Sequence, residues 1–201
     1  MKTMATESVG TALQPVCHAV FVQGNDEFFY NRDIFSYESG GEKTVGYNAN
    51  IQFTVASPAR RVWPIFKDFN LWQNDFGHYY SGAFGDKEGE MVHITDKNRG
   101  PPQGFYIVEH SIPEHLLVLA QPVCETDGIK HIGTHAFILT DRGHKTVVTG
   151  LMQHAKRSAT LDVAGTIAEY DVMIREAKVH KWATVLGQAL RARVAASPSS
   201  P

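Results

Sequence analysis

The segment from Leu161 to Val194 constrains the fold more than any other part of the chain. It contains no proline, and its apolar residues recur with the 3.6-residue period of an amphipathic helix. At a rise of ~1.5 Å per residue such a helix is ~50 Å long. Because a helix of that length is too long for a connector, we expect it to lie across a sheet and to bury one face against it.

The residues between His78 and His154 carry strand and turn signals throughout. These signals predict six strands: Tyr79–Phe84, Glu90–Thr95, Phe105–Ile112, Leu116–Gln121, His131–Thr140 and Thr146–His154. Alternating apolar and polar residues predict an earlier strand at Tyr47–Val55. Short polar turns join the later strands, so the sequence predicts an antiparallel sheet of about seven strands.

Two short helices are predicted between the first strand and the other six. Ser57 is a favourable N-cap and Pro58 a favourable first helical residue, while Pro64 limits this helix to about two turns. A second helix is predicted from Asp68 to Gly77, with Asp68 or Asn70 as its cap.

Two short motifs accompany this order of elements. The segment Ala56–Trp63, ASPARRVW, resembles the junction "a-s-P-x-x-x-V-W", and Asp68–Trp72, DFNLW, resembles "D-f-x-x-W". Both are typical of the SRPBCC superfamily, also called START-like or birch-pollen-allergen-like, and the resemblance covers residues 46 to 193. It implies an α+β helix-grip fold, in which a curved sheet and a long C-terminal helix enclose an apolar cavity.

Function does not follow from this resemblance. The superfamily includes lipid carriers, hormone receptors, polyketide cyclases and aromatases, condensing enzymes, and activators of chaperone ATPases, and one fold hosts all of these activities. The motifs themselves make a strand-to-helix turn and its packing, so they identify no catalytic residue.

Residues 1–45 fall outside the resemblance, and we expect them to form an extension that packs on the domain at 46–194. A short strand is predicted at Ala19–Gln23, followed by the aromatic segment Phe28–Tyr37 and a loop centred on Gly40 and Gly41. The tail at 195–201 is predicted to be disordered.

Composition and missing motifs exclude several functions. The formal charge is −2, with Lys and Arg scattered singly, so we expect no nucleic-acid partner. No apolar run approaches the ~18 residues of a membrane span, so we expect no membrane insertion. Two cysteines cannot form a disulfide framework, which predicts a cytoplasmic protein. We find no Gly-rich phosphate loop, His-Glu-x-x-His motif or paired CxxC, and therefore predict no cofactor and no metal.

Ten histidines nevertheless raise the question of a metal site. His131 and His135 share a face of one predicted strand but lie ~13 Å apart, too far to bind one zinc ion together. A site built from separate strands, such as His93 with His135 or His154, stays open.

The predicted helix supplies the sharpest candidate for chemistry. Its expected cavity face carries Asp171 and Lys178 among apolar side chains, and Arg175 lies at the edge of that face. A carboxylate facing an apolar cavity has a raised pKa and can act as a general acid or base. In the alternative interpretation, Asp171 pairs with Arg175 or a sheet residue, or the helix is rotated enough to expose it.

The candidate residues divide into two groups. We assign catalysis to Asp171, His135 and Tyr106. We assign ligand binding to cavity-facing groups of the helix and sheet, namely Ile167, Ile174, Lys178, Trp182, Tyr80, His93 and Arg175.

Three functional hypotheses follow. The first is a carrier or sensor that holds a hydrophobic or aromatic small molecule in the cavity. The second is a cofactor-independent enzyme, similar to a cyclase or aromatase, in which Asp171 moves protons. The third is an interaction protein similar to the chaperone activators, with the aromatic N-terminal segment as a partner-binding arm.

Overall fold

A computed structural model describes residues 16–24, 28–72, 79–82, 87–95, 104–176 and 185–197. The strands in these ranges form one antiparallel sheet in the order β1-β2-β3-β9-β8-β7-β6-β5-β4. Their bounds are β1 Val16–Gly24, β2 Phe28–Ser39, β3 Glu42–Val55, β4 Tyr79–Gly82, β5 Met91–Thr95, β6 Gly104–Ile112, β7 Leu116–Thr126, β8 Ile129–Asp141 and β9 Thr146–Ser158. All six predicted meander strands are therefore confirmed.

The N-terminal segment, predicted to be an extension that packs on the domain, contributes strands to the sheet itself. The boundary placed at residues 45/46 falls inside β3, and the aromatic segment from Phe28 forms β2, which pairs with β1 on one side and β3 on the other. Gly40 and Gly41, with φ of 60° and 78°, make the tight turn between β2 and β3. A partner-binding arm made from residues 28–37 would have to leave the sheet.

The first predicted helix forms as α1, Ala59–Phe66, but its N-terminus is capped by a different residue. Ser57 makes no side-chain cap, whereas Asp141 at the end of β8 accepts a hydrogen bond from the backbone N–H of Ala59 at 3.2 Å. Thr146 Oγ1 also donates to the Ser57 carbonyl at 2.7 Å. The β8–β9 hairpin thus fixes where α1 begins.

The second predicted helix is shorter than expected. A single 3-10 turn, Phe69–Leu71, is followed by extended backbone at Trp72. Asp68 does cap this turn, because its carboxylate accepts from the backbone N–H of Asn70 at 3.2 Å. Residues 73–77 of the predicted helix lie outside the described residues.

The motif aromatics form the centre of the main core. Trp72 is fully buried, and its ring centroid lies 4.8 Å from that of Phe137 and 5.0 Å from that of Phe66. Its indole N–H donates a hydrogen bond to the backbone carbonyl of Phe66 at 2.7 Å. Leu190 and Val194, near the C-terminus, join the same cluster. The resemblance motifs therefore explain packing, as the sequence predicts.

The predicted long helix is present as two described segments, α2 at Val163–Glu176 and α3 at Gly187–Ala196, and residues 177–184 lie outside the described part. Below α2 is a second core cluster that includes Ile34, Tyr170 and Ile174. None of the described helices is both long and apolar enough to cross a membrane.

The buried face of α2 is rotated from the predicted one. Its buried side chains are Thr166, Tyr170 and Ile174, whereas Ile167 and Asp171, which were predicted to face the cavity, are only half-buried. The cause is a tertiary contact: the Tyr170 ring packs edge-on against Tyr47 of β3, with centroids 5.3 Å apart. This contact turns the Tyr170 side of the helix toward the sheet, while Ile174 belongs to both the predicted and the observed buried face.

The capping contact of α1 gives a stability prediction. Replacing Asp141 by alanine removes the acceptor for Ala59 and also the one for the backbone N–H of Gly143, at 2.7 Å. We expect the free energy of unfolding in urea to fall by ~1 kcal/mol. Arg142→Ala in the same hairpin is the control, and an equal loss in both variants would contradict the capping role.

Candidate functional site

A pocket of about 380 Å³ lies between α2 and the ends of β3, β7, β8 and β9. The described residues leave it open on one side. Its walls carry polar and aromatic side chains, including Tyr47, Gln121, His131, His154 and Tyr170, and the apolar side chain of Met173.

Strand register builds the aromatic wall of this pocket. Tyr47 of β3 is directly opposite His154 of β9, and their rings stack with centroids 5.3 Å apart and an interplanar angle of 24°. Tyr170 of α2 closes the corner against Tyr47. One imidazole and two phenol rings therefore meet at the pocket.

Behind His154 lies a buried polar cluster, which we call the His-Tyr cluster: Tyr106, His135 and His154. The two Nε2 atoms are 2.9 Å apart, and the Tyr106 hydroxyl lies 3.2 Å from Nε2 of His135 and 3.4 Å from that of His154. Two neutral imidazoles can approach this closely only if one carries its proton on Nε2 and the other accepts there. His154 is the member of the cluster that reaches the pocket wall.

Gly133 makes room for this arrangement. It lies opposite His154 on β8, and a Cβ added there would be 2.6 Å from Gln121 Oε1 and 3.1 Å from His154 Nδ1. The absence of a side chain thus lets the Gln121 and His154 side chains share one space.

The cluster is held in its uncharged form. Burial lowers the pKa of His135 well below its ordinary value, and the neighbouring His154 adds to this effect. Burial, together with the charge of Arg32, lowers the pKa of His154 to about 4, and burial raises the pKa of Tyr106. At neutral pH the cluster therefore presents hydrogen-bonding groups without a net charge.

Arg32 places a positive charge near this site. Its side chain is 2% exposed, and its guanidinium carbon lies 5.1 Å from the ring centroid of Tyr30 and 5.7 Å from that of Tyr47. Both distances are within the range of cation–π contacts.

Two of the three residues predicted for catalysis, Tyr106 and His135, come together in this cluster, and the structure does not bring Asp171 to it. Asp171 accepts from Arg175 Nε with both carboxylate oxygens, at 2.9 Å each, on a helix surface where the Arg175 side chain is 71% exposed. This is the alternative pairing that the sequence left open.

The residues predicted for ligand binding are dispersed. Tyr80 is buried and stacks on Tyr106, with centroids 6.2 Å apart, and Ile174 and Ile167 pack beneath α2. His93 alternates with the core residue Val92 on β5, so it points to the other face of the sheet. Lys178 and Trp182 lie outside the described residues.

Sequence reasoning did not assign Tyr47 to the site, and it missed the role of His154, which entered only as one option for a metal site. The available signal was a glycine on the neighbouring strand, and it becomes visible only once the β8–β9 register is known. Among the described residues, no three His, Cys, Asp or Glu side chains lie close enough together to hold a metal ion.

Comparison with known proteins bears on the fold. No protein-family model matches the chain, and no curated protein matches its sequence. A solved structure of a Nitrosomonas europaea protein is 12% identical and matches with a TM-score of 0.50, covering 73% of this chain and 95% of that one. The chain has the helix-grip fold.

Norcoclaurine synthase from Thalictrum flavum is also similar. The truncated enzyme is 13% identical, covers 77% of this chain and 97% of its own, and has a TM-score of 0.49. A second structure, in complex with dopamine and hydroxybenzaldehyde, is 14% identical, covers 78% and 91%, and has a TM-score of 0.47. At such low identity these likenesses concern the fold only.

The depressed pKa values predict acid sensitivity. The pKa of His154 is ~6.5 in the unfolded chain and about 4 in the fold, so the unfolded state binds more protons between these values. The stability that comes from keeping His154 uncharged is fully present above pH ~6.5 and is lost as the pH falls toward 4. Between pH 7 and pH 5, His154 alone lowers the free energy of unfolding by ~2 kcal/mol. Burial of His135 acts in the same direction.

Urea unfolding at a series of pH values measures this effect. His154→Gln removes the titrating group, so the free energy of unfolding should depend less on pH between 7 and 5. The matched control is His115→Gln, in an exposed turn. An unchanged slope in His154→Gln would contradict the assigned pKa shift.

Proposed function

We propose that this chain binds a small hydrophobic or aromatic molecule in the pocket beneath α2. The observation that carries this proposal is the pocket itself, about 380 Å³ in volume, where Tyr47, Tyr170 and His154 bring their rings together. Its volume lies within the ~300–1,000 Å³ typical of small-molecule sites. A flat ring can pack against these aromatic side chains, and aromatic contacts of this kind add ~0.5–1.5 kcal/mol beyond the burial of area.

The polar groups of the wall favour a ligand with a hydroxyl or carbonyl group. His154 is uncharged at neutral pH and linked to His135 and Tyr106, so it can offer one donor or one acceptor without the cost of burying an ion. A purely aliphatic ligand would leave this hydrogen-bonding capacity unused.

The charges around the rings favour a neutral or anionic ligand over a cationic one. Arg32 lies over the ring of Tyr47, and Lys156 Nζ lies 5.6 Å from the centroid of Tyr170, so each phenol already has a cation beside it. Glu169 pairs with Lys156 at 2.7 Å and offsets part of the charge beside Tyr170. A second cation in the pocket would be repelled.

Calorimetric titration with three probes of one shape tests this function: 2-naphthol, 2-naphthoate and 2-naphthylmethylamine. We expect the neutral and anionic probes to bind and the ammonium probe to bind at least about tenfold more weakly. Native mass spectrometry of the purified protein would also show whether a ligand is retained.

Two neighbouring positions provide a matched pair of variants. Cys124 lines the pocket, so Cys124→Trp should fill it and weaken 2-naphthol binding by about tenfold or more. Val123 precedes it on β7, is 63% exposed and is not among the residues lining the pocket, so Val123→Trp should bind like the wild type. Equal affinities in both variants, or no binding of any probe by the wild type, would argue against the proposal.

Acid–base catalysis without a cofactor, as in a cyclase or aromatase, is the second candidate. The His-Tyr cluster favours it, because three groups within hydrogen-bonding distance connect the pocket wall to the interior. The cost of protonating His154 makes binding the preferred proposal over catalysis. Because the pKa of His154 is about 4, protonating it at pH 7 costs ~4 kcal/mol. Turnover of a bound compound should be lost in His135→Gln and Tyr106→Phe and retained in Asp171→Asn, since Asp171 pairs with Arg175.

A further inference from the structure

A second depression lies on the other face of the sheet. Along β2 the side chains of Tyr30, Arg32 and Ile34 point toward the core under the helices, so Asp33, Phe35 and Tyr37 point away from it. A pocket of about 220 Å³ lies there, bordered by these three residues together with Asn48, Gln153 and Arg157. We call it the outer notch.

One phenylalanine and two small residues form the floor of the outer notch. Phe35, Gly46 and Ala155 lie side by side on β2, β3 and β9, and a Cβ added at Gly46 would be 2.5 Å from Phe35 Cζ and 2.9 Å from Ala155 Cβ. Phe35 is only 5% exposed and Ala155 only 7% exposed, although both lie on the face away from the helices. The floor is therefore apolar and set below its surroundings.

One wall carries a negative charge held in a fixed position. Asn48 Nδ2 donates to Asp33 Oδ2 at 2.9 Å, and Gln153 Nε2 donates to Asn48 Oδ1 at 3.0 Å. This row of amides runs across three strands and aligns the carboxylate without neutralising it.

The opposite wall carries a positive charge held in the same manner. Arg157 Nε donates to Thr44 Oγ1 at 3.1 Å, and its Nη2 donates to the Tyr37 hydroxyl at 3.0 Å. The row of Asp33, Asn48 and Gln153 and the row of Tyr37, Thr44 and Arg157 lie on opposite sides of the apolar floor. The two rows are four residues apart along each strand, which corresponds to ~13 Å of backbone.

We propose that the outer notch binds an extended zwitterion, a small molecule with an ammonium group at one end of an apolar body and a carboxylate at the other. The ammonium group contacts Asp33, the carboxylate contacts Arg157, and the body covers Phe35 and Ala155. An extended dipeptide, which spans ~7 Å, or an ω-amino acid has this form. In an α-amino acid the two charges are adjacent, and it cannot reach both walls.

This site is chemically different from the pocket under α2. The inner pocket has an uncharged imidazole and aromatic rings, whereas the outer notch has two opposite charges over an apolar floor. Ile132 and Ala155 border both, because only the thickness of the sheet separates them. Binding at either site can be measured with a probe that the other does not favour.

The test uses 6-aminohexanoate with two singly charged analogues, hexylamine and hexanoate, at one ionic strength. Amide chemical shifts of the full chain report the position and affinity of each probe. We expect 6-aminohexanoate to shift the amides of Phe35 and Gly46 and to bind about tenfold more tightly than either analogue. Equal affinity of the three probes, or no shift at these residues, would overturn the proposal.

Variants with matched controls complete the test. Asp33→Asn keeps the hydrogen bond from Asn48 and removes only the charge, and Arg157→Gln removes the opposite charge; each should weaken 6-aminohexanoate binding by about tenfold. Glu109→Gln and Arg142→Gln change the same kinds of charge at exposed positions elsewhere and should bind like the wild type. If Arg157→Gln does not fold, Asp33→Asn decides alone, and wild-type affinity in that variant refutes the proposal.

Discussion

The pairing of β3 with β9 is the contact on which the rest of the structure depends. It runs in unbroken register from Lys43 opposite Ser158 to Val55 opposite Thr146. The same ladder places Tyr47 beside His154 on the inner face and Gly46 beside Ala155 on the outer face. The aromatic wall of the inner pocket and the floor of the outer notch are therefore adjacent positions of one strand pair.

Much of the fold could be predicted from sequence because its signals are local. Strand and turn signals give the six meander strands, and the Asp68 cap and the Gly40-Gly41 turn are short-range features. Only β2 was harder to identify among the N-terminal strands, because it points a charged residue into the core. Arg32 is buried beside Tyr30 and Tyr47, so the alternation that identifies a half-buried strand is broken.

The site could be predicted only in part, for a physical reason. Tyr106 and His135 occupy recognisable strand positions, but their approach to His154 depends on the pairing of β8 with β9, and alternation within one strand does not contain that information. The rotation of α2 likewise depends on a contact between Tyr170 and Tyr47, which are far apart in sequence. Two neighbouring rotations of an amphipathic helix bury similar amounts of apolar surface, so the sequence of α2 alone does not distinguish them. The contact between the two rings selects the rotation in which Asp171 pairs with Arg175 at the edge of the core.

The alternation of neighbouring residues along β9 has a consequence for how this protein can vary. His154 and Ala155 are consecutive, and they face environments of opposite chemistry. Inserting or deleting one residue within the strand would turn each side chain to the other surface, bringing Arg157 inward and the imidazole outward. Sequence change here should therefore proceed by substitution, and length variation should be confined to the hairpin turns, where one extra residue leaves both faces intact.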